Sequence, residues 1–164
     1  MKILYYGGQK SGKSHLAEKR ALSLARDKKP YYIATYNNLY IDSEMERRVL
    51  KHKLKRADSF ITIEESFDFI KYIKEDNTYL IDCISMWILN LLTKSEKELI
   101  SYIDKLNNID TNIVFVLNSV GEGIVPLTKD SRKFVDLTGL IGQKIASMSD
   151  EVYDVKLGIA QRLK

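Results

Sequence analysis

Gly7-Gly8-Gln9-Lys10-Ser11-Gly12-Lys13-Ser14 decides the fold. The octet matches G-x-x-x-x-G-K-[ST], a pattern that cradles phosphate when it joins a strand to a helix. Both neighbours are present. Ile3-Leu4-Tyr5-Tyr6 reads as a short buried strand, and His15 to Lys28 as a helix with Leu16, Ala17, Ala21, Leu24 and Ala25 at helical spacing. The chemistry explains the spacing. Gly7, Gly8 and Gly12 let the backbone turn tightly and approach an anion without a Cβ in the way. Successive N–H groups then converge on phosphate oxygens at a helix N-terminus. Gln9, Lys10 and Ser11 span the loop; Lys13 neutralises β- and γ-phosphates, and Ser14 offers its hydroxyl to Mg²⁺.

Outward from the loop, β-branched and aromatic runs alternate with helical patterns. Lys29-Pro30 stops the first helix, and Tyr31 to Thr35 reads as a strand. Ser43 to Arg56 reads as a helix opened by a capping box of Ser43 and Glu46. Phe60 to Ile63 is a strand, Ser66 to Glu75 a helix, and Tyr79 to Asp82 a strand ending in an acid. Helices follow over Ile84–Leu92 and Ser95–Leu106, then a strand over Ile113–Leu117. A loop with Gly121, Gly123 and Pro126 leads to a helix over about Ser131–Ala146, and Val152–Leu157 is the last strand. Strands separated by helices predict an α/β domain with a mostly parallel sheet flanked by helices. The expectation is one P-loop NTPase-like (RecA-like) domain over residues 1–164.

Such a loop works with a metal-organising acid at the end of another strand. Asp82 is placed for this, or for capping the helix that follows it. Cys83, the one cysteine, excludes an intrachain disulfide and a multi-thiolate zinc site, and points to a reducing compartment. Phe134, Leu137, Ile141 and Ile145 share a helical stripe that reads as core; Trp87, Ile88 and Leu91 read as core or subunit interface. His15 reads as structural or solvent-facing. His52 sits in a basic run in which Arg48, Lys55 and Arg56 share its helix face. Cations nearby favour neutral imidazole, the nucleophilic form. The competing reading is a solvated basic helix with one exposed histidine.

The 164 residues carry 45% hydrophobic and 29% charged side chains, enough for one ordinary core. The net charge of +4 permits nucleotides, phosphorylated small molecules or nucleic acid and selects none. The first eight residues are too short an apolar run for a signal peptide, and Cys83–Thr93 is too short for a membrane helix. A cytoplasmic protein without a membrane span is expected.

With these pieces in order, the chain resembles the bifunctional adenosylcobinamide kinase / adenosylcobinamide-phosphate guanylyltransferase family of cobalamin biosynthesis. The resemblance rests on residues 7–14, Tyr32-Ile33-Ala34-Thr35, and Asp42-Ser43-Glu44-Met45 with Arg48, His52-Lys53 and Arg56. It continues in Thr62-Ile63-Glu64, Asp82-Cys83-Ile84, the run from Asn118 to Pro126, and Arg132, Phe134, Asp136, Gly139, Gln143, Ala146 and Asp150-Glu151-Val152. It implies phosphorylation of adenosylcobinamide with ATP or GTP. It also implies transfer of GMP from GTP to adenosylcobinamide phosphate through a guanylyl-histidine, with His52 as nucleophile. Carried over by position, nucleotide contacts fall on residues 7–14, Ala34, Thr35, Tyr36, Lys53, Leu54, Lys55, Arg56, Glu64 and Asp82, with Mg²⁺ at Ser14 and Asp82. A homo-trimer is the implied assembly. The chain departs from the family's pattern at Lys51, where some members carry a second His, at Ser119, where Glu is common, at Gly142, where Asn is common, and at Asp82, where Glu is frequent.

An enzyme with the guanylyltransferase half only is one alternative, and two other classes compete. A P-loop kinase or ATPase acting on another small substrate would form no covalent GMP. A nucleic-acid module using the 47–56 helix would bind with steep salt dependence. The absence of aromatics within that helix speaks against stacking on single strands, so no nucleic-acid partner is expected.

Overall fold

The computed structural model describes residues 1–37, 56, 58–123 and 125–164. The expected helix over Ser43–Arg56, with His52, lies outside the described residues except for Arg56. Seven strands form one sheet in the order β3-β2-β4-β5-β1-β6-β7. In chain order they are β1 (Lys2–Gly7), β2 (Tyr31–Ala34), β3 (Ile61–Glu64), β4 (Thr78–Asp82), β5 (Asn112–Asn118), β6 (Glu151–Lys156) and β7 (Ile159–Arg162). Every pairing is parallel except β6 with β7. The described helices are α1 (Lys13–Ala25), α2 (Ile84–Asn90), α3 (Glu96–Asp104) and α4 (Lys129–Met148).

Strand alternation splits the core in two. Leu4, Ile113, Phe115 and Leu117 face a cluster with Trp87, Leu99, Leu137, Ile141 and Ile145, supplied by α2, α3 and α4. Ile3, Tyr5, Val114 and Val116 face the other way, onto Ala17 and Ala21 of α1. Alanine at every fourth position of α1 is buried, which brings that helix close to the sheet. Strands buried on both faces need apolar side chains on both, as β5 has from Ile113 to Leu117. Leu137, Ile141 and Ile145 of the α4 stripe and the Trp87–Ile88 pair are core, and Phe134 and Leu91 pack partly buried against it.

Two expectations fail. Ser66–Glu75 is not a helix; it holds only a 3₁₀ turn at Phe69–Tyr72. Its backbone donors go to side chains instead of carbonyls four residues back. Phe67 and Asp68 N–H groups donate to Glu65 Oε1, Ile70 to Tyr102 Oη and Lys74 to Tyr79 Oη. Phe69 meanwhile packs edge-on against Trp87 and Tyr102. Nor is β6 the last strand. Leu157 and Gly158 both adopt positive φ, 52° and 80°, and reverse the chain into β7. That is the geometry of a two-residue hairpin.

Elsewhere local signals hold. Ser95 and Glu98 close a reciprocal capping box that starts α3. Glu98 is held down to about 2 by the Ser95 backbone N–H first, then by the Lys94 ammonium and the Ser95 hydroxyl.

Candidate active site

The parallel strands β1, β2, β4, β5 and β6 end together on one edge, and the glycine loop leaves β1 there. In an open α/β sheet this edge is where ligands bind. Gly12 takes φ +96° as the residue that opens α1, and a Cβ on it would stand 3.1 Å from Gly158 Cα. Gly7 is tighter: a Cβ would meet the Val155 carbonyl oxygen at 2.4 Å. The loop is thus wedged against the β6–β7 turn, whose Gly158 N–H donates to the Ser11 carbonyl at 2.8 Å. On its other flank Ser119 N–H donates to Gly7 O at 2.9 Å.

These braces set up an anion cradle. No side chain caps α1 and its first turn carries no acid, so its leading N–H groups keep their positive field. Lys13 is 6% exposed, and its Nζ crosses the loop to the Gly8 carbonyl at 3.0 Å. Ser11 Oγ is buried with no hydrogen-bond partner among the described residues, and a Cβ on Gly8 would stand in open space. An unpartnered buried hydroxyl beside an unobstructed backbone suits a phosphate oxygen.

Asp82 ends β4, which is separated from β1 by β5 alone. It is not a helix cap, because α2 opens after Cys83 without a side-chain cap. Tyr32 Oη donates to Asp82 Oδ2 at 2.8 Å. Burial, then the Asp82 charge, lifts the Tyr32 hydroxyl well above its ordinary range, so it remains a donor. One carboxylate oxygen is thereby fixed by hydrogen bond. Together, the Ser14 hydroxyl and Asp82 offer hard oxygen ligands of the kind Mg²⁺ takes when phosphates complete its shell. No cluster of three or more His, Cys, Asp or Glu that would hold a metal unaided exists among the described residues. Cys83 is buried, and its thiol is pushed up to about 12, first by desolvation and then by the Asp82 charge. It is an inert small side chain in the floor of the site.

The remaining candidates separate by position. Ala34, Asp82 and Glu64 lie in one row across β2, β4 and β3. Glu64, on the edge strand, stands four strands from β1, about 19 Å at ~4.8 Å per strand. It is out of reach of phosphates in the cradle. Thr35 is fully buried: its Oγ1 donates to Cys83 O at 2.7 Å and accepts from Cys83 N–H at 2.9 Å, clamping β2 to β4. The Tyr36 carbonyl accepts from Ser66 Oγ. Arg56 is buried, its guanidinium 3.5 Å from the centre of the Tyr32 ring and 3.7 Å from Glu18 of α1. It anchors the chain entering β3 and is not a solvent-facing cation. His15 is exposed. His52, Lys53, Leu54 and Lys55 lie outside the described residues.

Sequence reasoning missed the partners: Tyr32 on Asp82, Glu18 under Arg56, and a line from Tyr6 Oη to Ser119 Oγ to Glu122 Oε1. Only the fold joins these residues, so spacing carried no signal for them. A larger hollow of about 470 Å³ opens at the opposite edge, between residues 24–30 and the starts of β4 and β5, and is remote from this chemistry.

The fold is that of RecA-like P-loop NTPases. Among solved structures, the flagellar accessory protein FlaH of Methanocaldococcus jannaschii aligns over 99% of this chain and 77% of its own, with TM-score 0.50 and 16% identity. That likeness concerns the fold alone. Among curated proteins, the chain is 31% identical over 173 residues to the bifunctional adenosylcobalamin biosynthesis protein CobP of Pseudomonas aeruginosa, covering 100% of this chain and 98% of that one. It is 33% identical over 187 residues to CobU of Salmonella typhimurium and 30% over 186 residues to CobU of Escherichia coli, each covering both chains in full. The family profile described as cobinamide kinase / cobinamide phosphate guanyltransferase matches residues 3–163. The chain belongs to the cobinamide kinase / cobinamide phosphate guanyltransferase family, an enzyme family.

Proposed function

We propose that the protein carries out both reactions of its family on adenosylcobinamide, as a cytoplasmic homo-trimer. The observation that carries this reading is the braced cradle facing Asp82 in a chain that matches the bifunctional relatives end to end. In the kinase step the cradle N–H groups and Lys13 hold the β- and γ-phosphates of ATP or GTP, and Ser14 and Asp82 are the residues that would hold Mg²⁺. Bound there, the ion would supply charge neutralisation on the phosphates. Phosphoryl transfer is mainly positioning and charge compensation, and these groups supply both.

In the guanylyl step His52, as neutral imidazole, attacks the α-phosphorus of GTP. An N–P bond forms, the α–β bridging P–O bond breaks, and pyrophosphate leaves with the electron pair. A phosphate oxygen of adenosylcobinamide phosphate then attacks the same phosphorus and releases imidazole. Splitting one displacement into two lowers each barrier. Lys53, Leu54, Lys55 and Glu64 are assigned to the guanosine end, while Arg56 packs against Tyr32 and Glu18.

The test is labelling with GTP radioactive at the α-phosphate. Acid-labile label is expected on the protein with Mg²⁺ and absent from His52→Ala. Turnover of nucleotide without covalent GMP supports a kinase acting on another substrate instead.

A further inference from the structure

The loop after β5 closes a second hollow on the same edge as the cradle. It is about 350 Å³, bounded by Val125 and Pro126 on the loop and by Arg132, Val135 and Asp136 on α4. Its position is fixed by register: β5 ends at Asn118 beside Gly7, and Ser119 N–H donates to Gly7 O. The hollow therefore begins at Gly121, two residues beyond a direct contact with the phosphate loop.

Three features define what it takes. Its volume is at the low end for ligand pockets, enough for a short arm of a substrate and not for a macrocycle. Its wall is mixed, with Val125, Pro126 and Val135 apolar, Arg132 cationic and Asp136 anionic. Arg132 Nη1 donates to the carbonyls of Pro126 and Leu127 at 3.0 and 2.7 Å, which orients the fork and leaves further N–H donors on Nη2 and Nε. Third, a carboxylate, that of Glu122, stands on the loop between Gly121 and Gly123, two residues of the hollow's wall. Glu122 Oε1 accepts from Ser119 Oγ at 2.9 Å, and Ser119 Oγ accepts from Tyr6 Oη at 2.9 Å. Tyr6 and Ser119 flank Gly7 in sequence and by hydrogen bond, so this chain ties the carboxylate to the loop that holds the transferred phosphate.

We propose that this hollow seats the hydroxyl-bearing arm of the acceptor, with Glu122 as the base of the kinase step and Arg132 as the contact for the phosphate once made. Glu122 takes the hydroxyl proton. The freed oxygen forms a bond to the γ-phosphorus, the β–γ bridging P–O bond breaks, and the nucleoside diphosphate leaves with the electron pair. The exposed Val125 and Leu127, 78% and 96% accessible, offer apolar surface at the rim to the bulk of the acceptor. This assignment rests on the bifunctional reading above.

The experiment compares wild type, Glu122→Gln and Arg132→Ala in three assays: GTP α-label incorporation, phosphorylation of cobinamide, and GMP transfer to cobinamide phosphate. Glu122→Gln is expected to lower the kinase kcat by about 10²–10⁴-fold, the range of a general base. Label incorporation stays within about twofold, which also shows that the variant folds. Arg132→Ala is expected to raise KM for cobinamide phosphate about tenfold or more without changing KM for nucleotide. Equal loss of labelling and kinase activity in Glu122→Gln would mean that the Tyr6–Ser119–Glu122 line only shapes the cradle, and overturns the proposal. An unchanged kinase kcat in that variant overturns it as well. If wild type incorporates label but phosphorylates no cobinamide, the kinase half of the functional reading falls and this assignment with it; if it does neither, the whole reading falls.

Discussion

Two loops leave neighbouring strands at the same edge of the sheet, and they are built in opposite ways. The 7–14 loop after β1 is held by backbone. Its carbonyls at Gly7, Gly8 and Ser11 all accept main-chain or lysine donors, and its glycines at 7 and 12 stand where a Cβ would strike neighbouring backbone. The 119–127 loop after β5 touches the first loop by one main-chain bond, Ser119 N–H to Gly7 O, and is otherwise held by side chains: Ser119 and Glu122 at one end, Arg132 across the other. Its apolar residues Val125 and Leu127 face solvent. A triphosphate has the same shape in every nucleotide, so a rigid backbone mould serves it. An acceptor differs in shape and charge before and after phosphorylation, and adjustable side chains suit it. Contacts made by backbone resist conservative substitution; contacts made by side chains can be changed one at a time.

The contrast can be broken on the cradle side first. Lys13→Ala is expected to lower kcat for both phosphoryl and guanylyl transfer by about 10²–10³-fold, the cost of removing one preorganised charge partner. Steady-state kinetics with either nucleotide checks it. Next comes Gly7→Ala, whose methyl group must displace the Val155 carbonyl or the strand that carries it. A loss of about 3 kcal/mol is expected from such overpacking, read as a fall in the denaturant midpoint, with nucleotide affinity lost in parallel. An unperturbed Gly7→Ala protein would show that the loop yields, and the contrast would fail.

The floor beside the cradle gives a pH signature. The unfolded thiol of Cys83 ionises near 9.0, and the folded one near 12 because it is buried. Between those values the unfolded state binds fewer protons, so stability falls as pH rises, by up to about 1.4 kcal/mol per unit. Below pH 9 the thiol contributes no slope. Urea titrations at pH 8 and pH 10 read the difference, and iodoacetamide at pH 8 should modify only denatured protein. The smallest effect belongs to the side-chain loop: Leu127→Ser, at a 96% exposed position, should change stability by less than about 0.5 kcal/mol. A cost above 1 kcal/mol there would mean the loop is as braced as the cradle.

Local patterns carried much of this molecule. The octet at 7–14 with a strand before it and a helix after it announced a phosphate site, and alternation of strands and helices announced the parallel sheet. Asp82 was legible as the end of β4 because an acid closing an apolar run is unusual. Residues 66–75 were misread because their donors are taken by Glu65, Tyr79 and Tyr102, and the last of these comes from a helix some thirty residues on. The Leu157–Gly158 turn was passed over because four residues of β7 are too few to show a period.

The glycine loop between β1 and α1 and most of the elements around it are legible locally, because glycine freedom, hydrophobic period and capping act over a few residues. Tertiary structure alone decided what surrounds that loop. Val155 and Gly158 press on it from the far end of the chain, Tyr32 holds Asp82, and Tyr6 and Ser119 place Glu122. Hydrogen bonds between side chains distant in sequence leave no periodic trace, since their partners meet only after the strands have taken their order in the sheet.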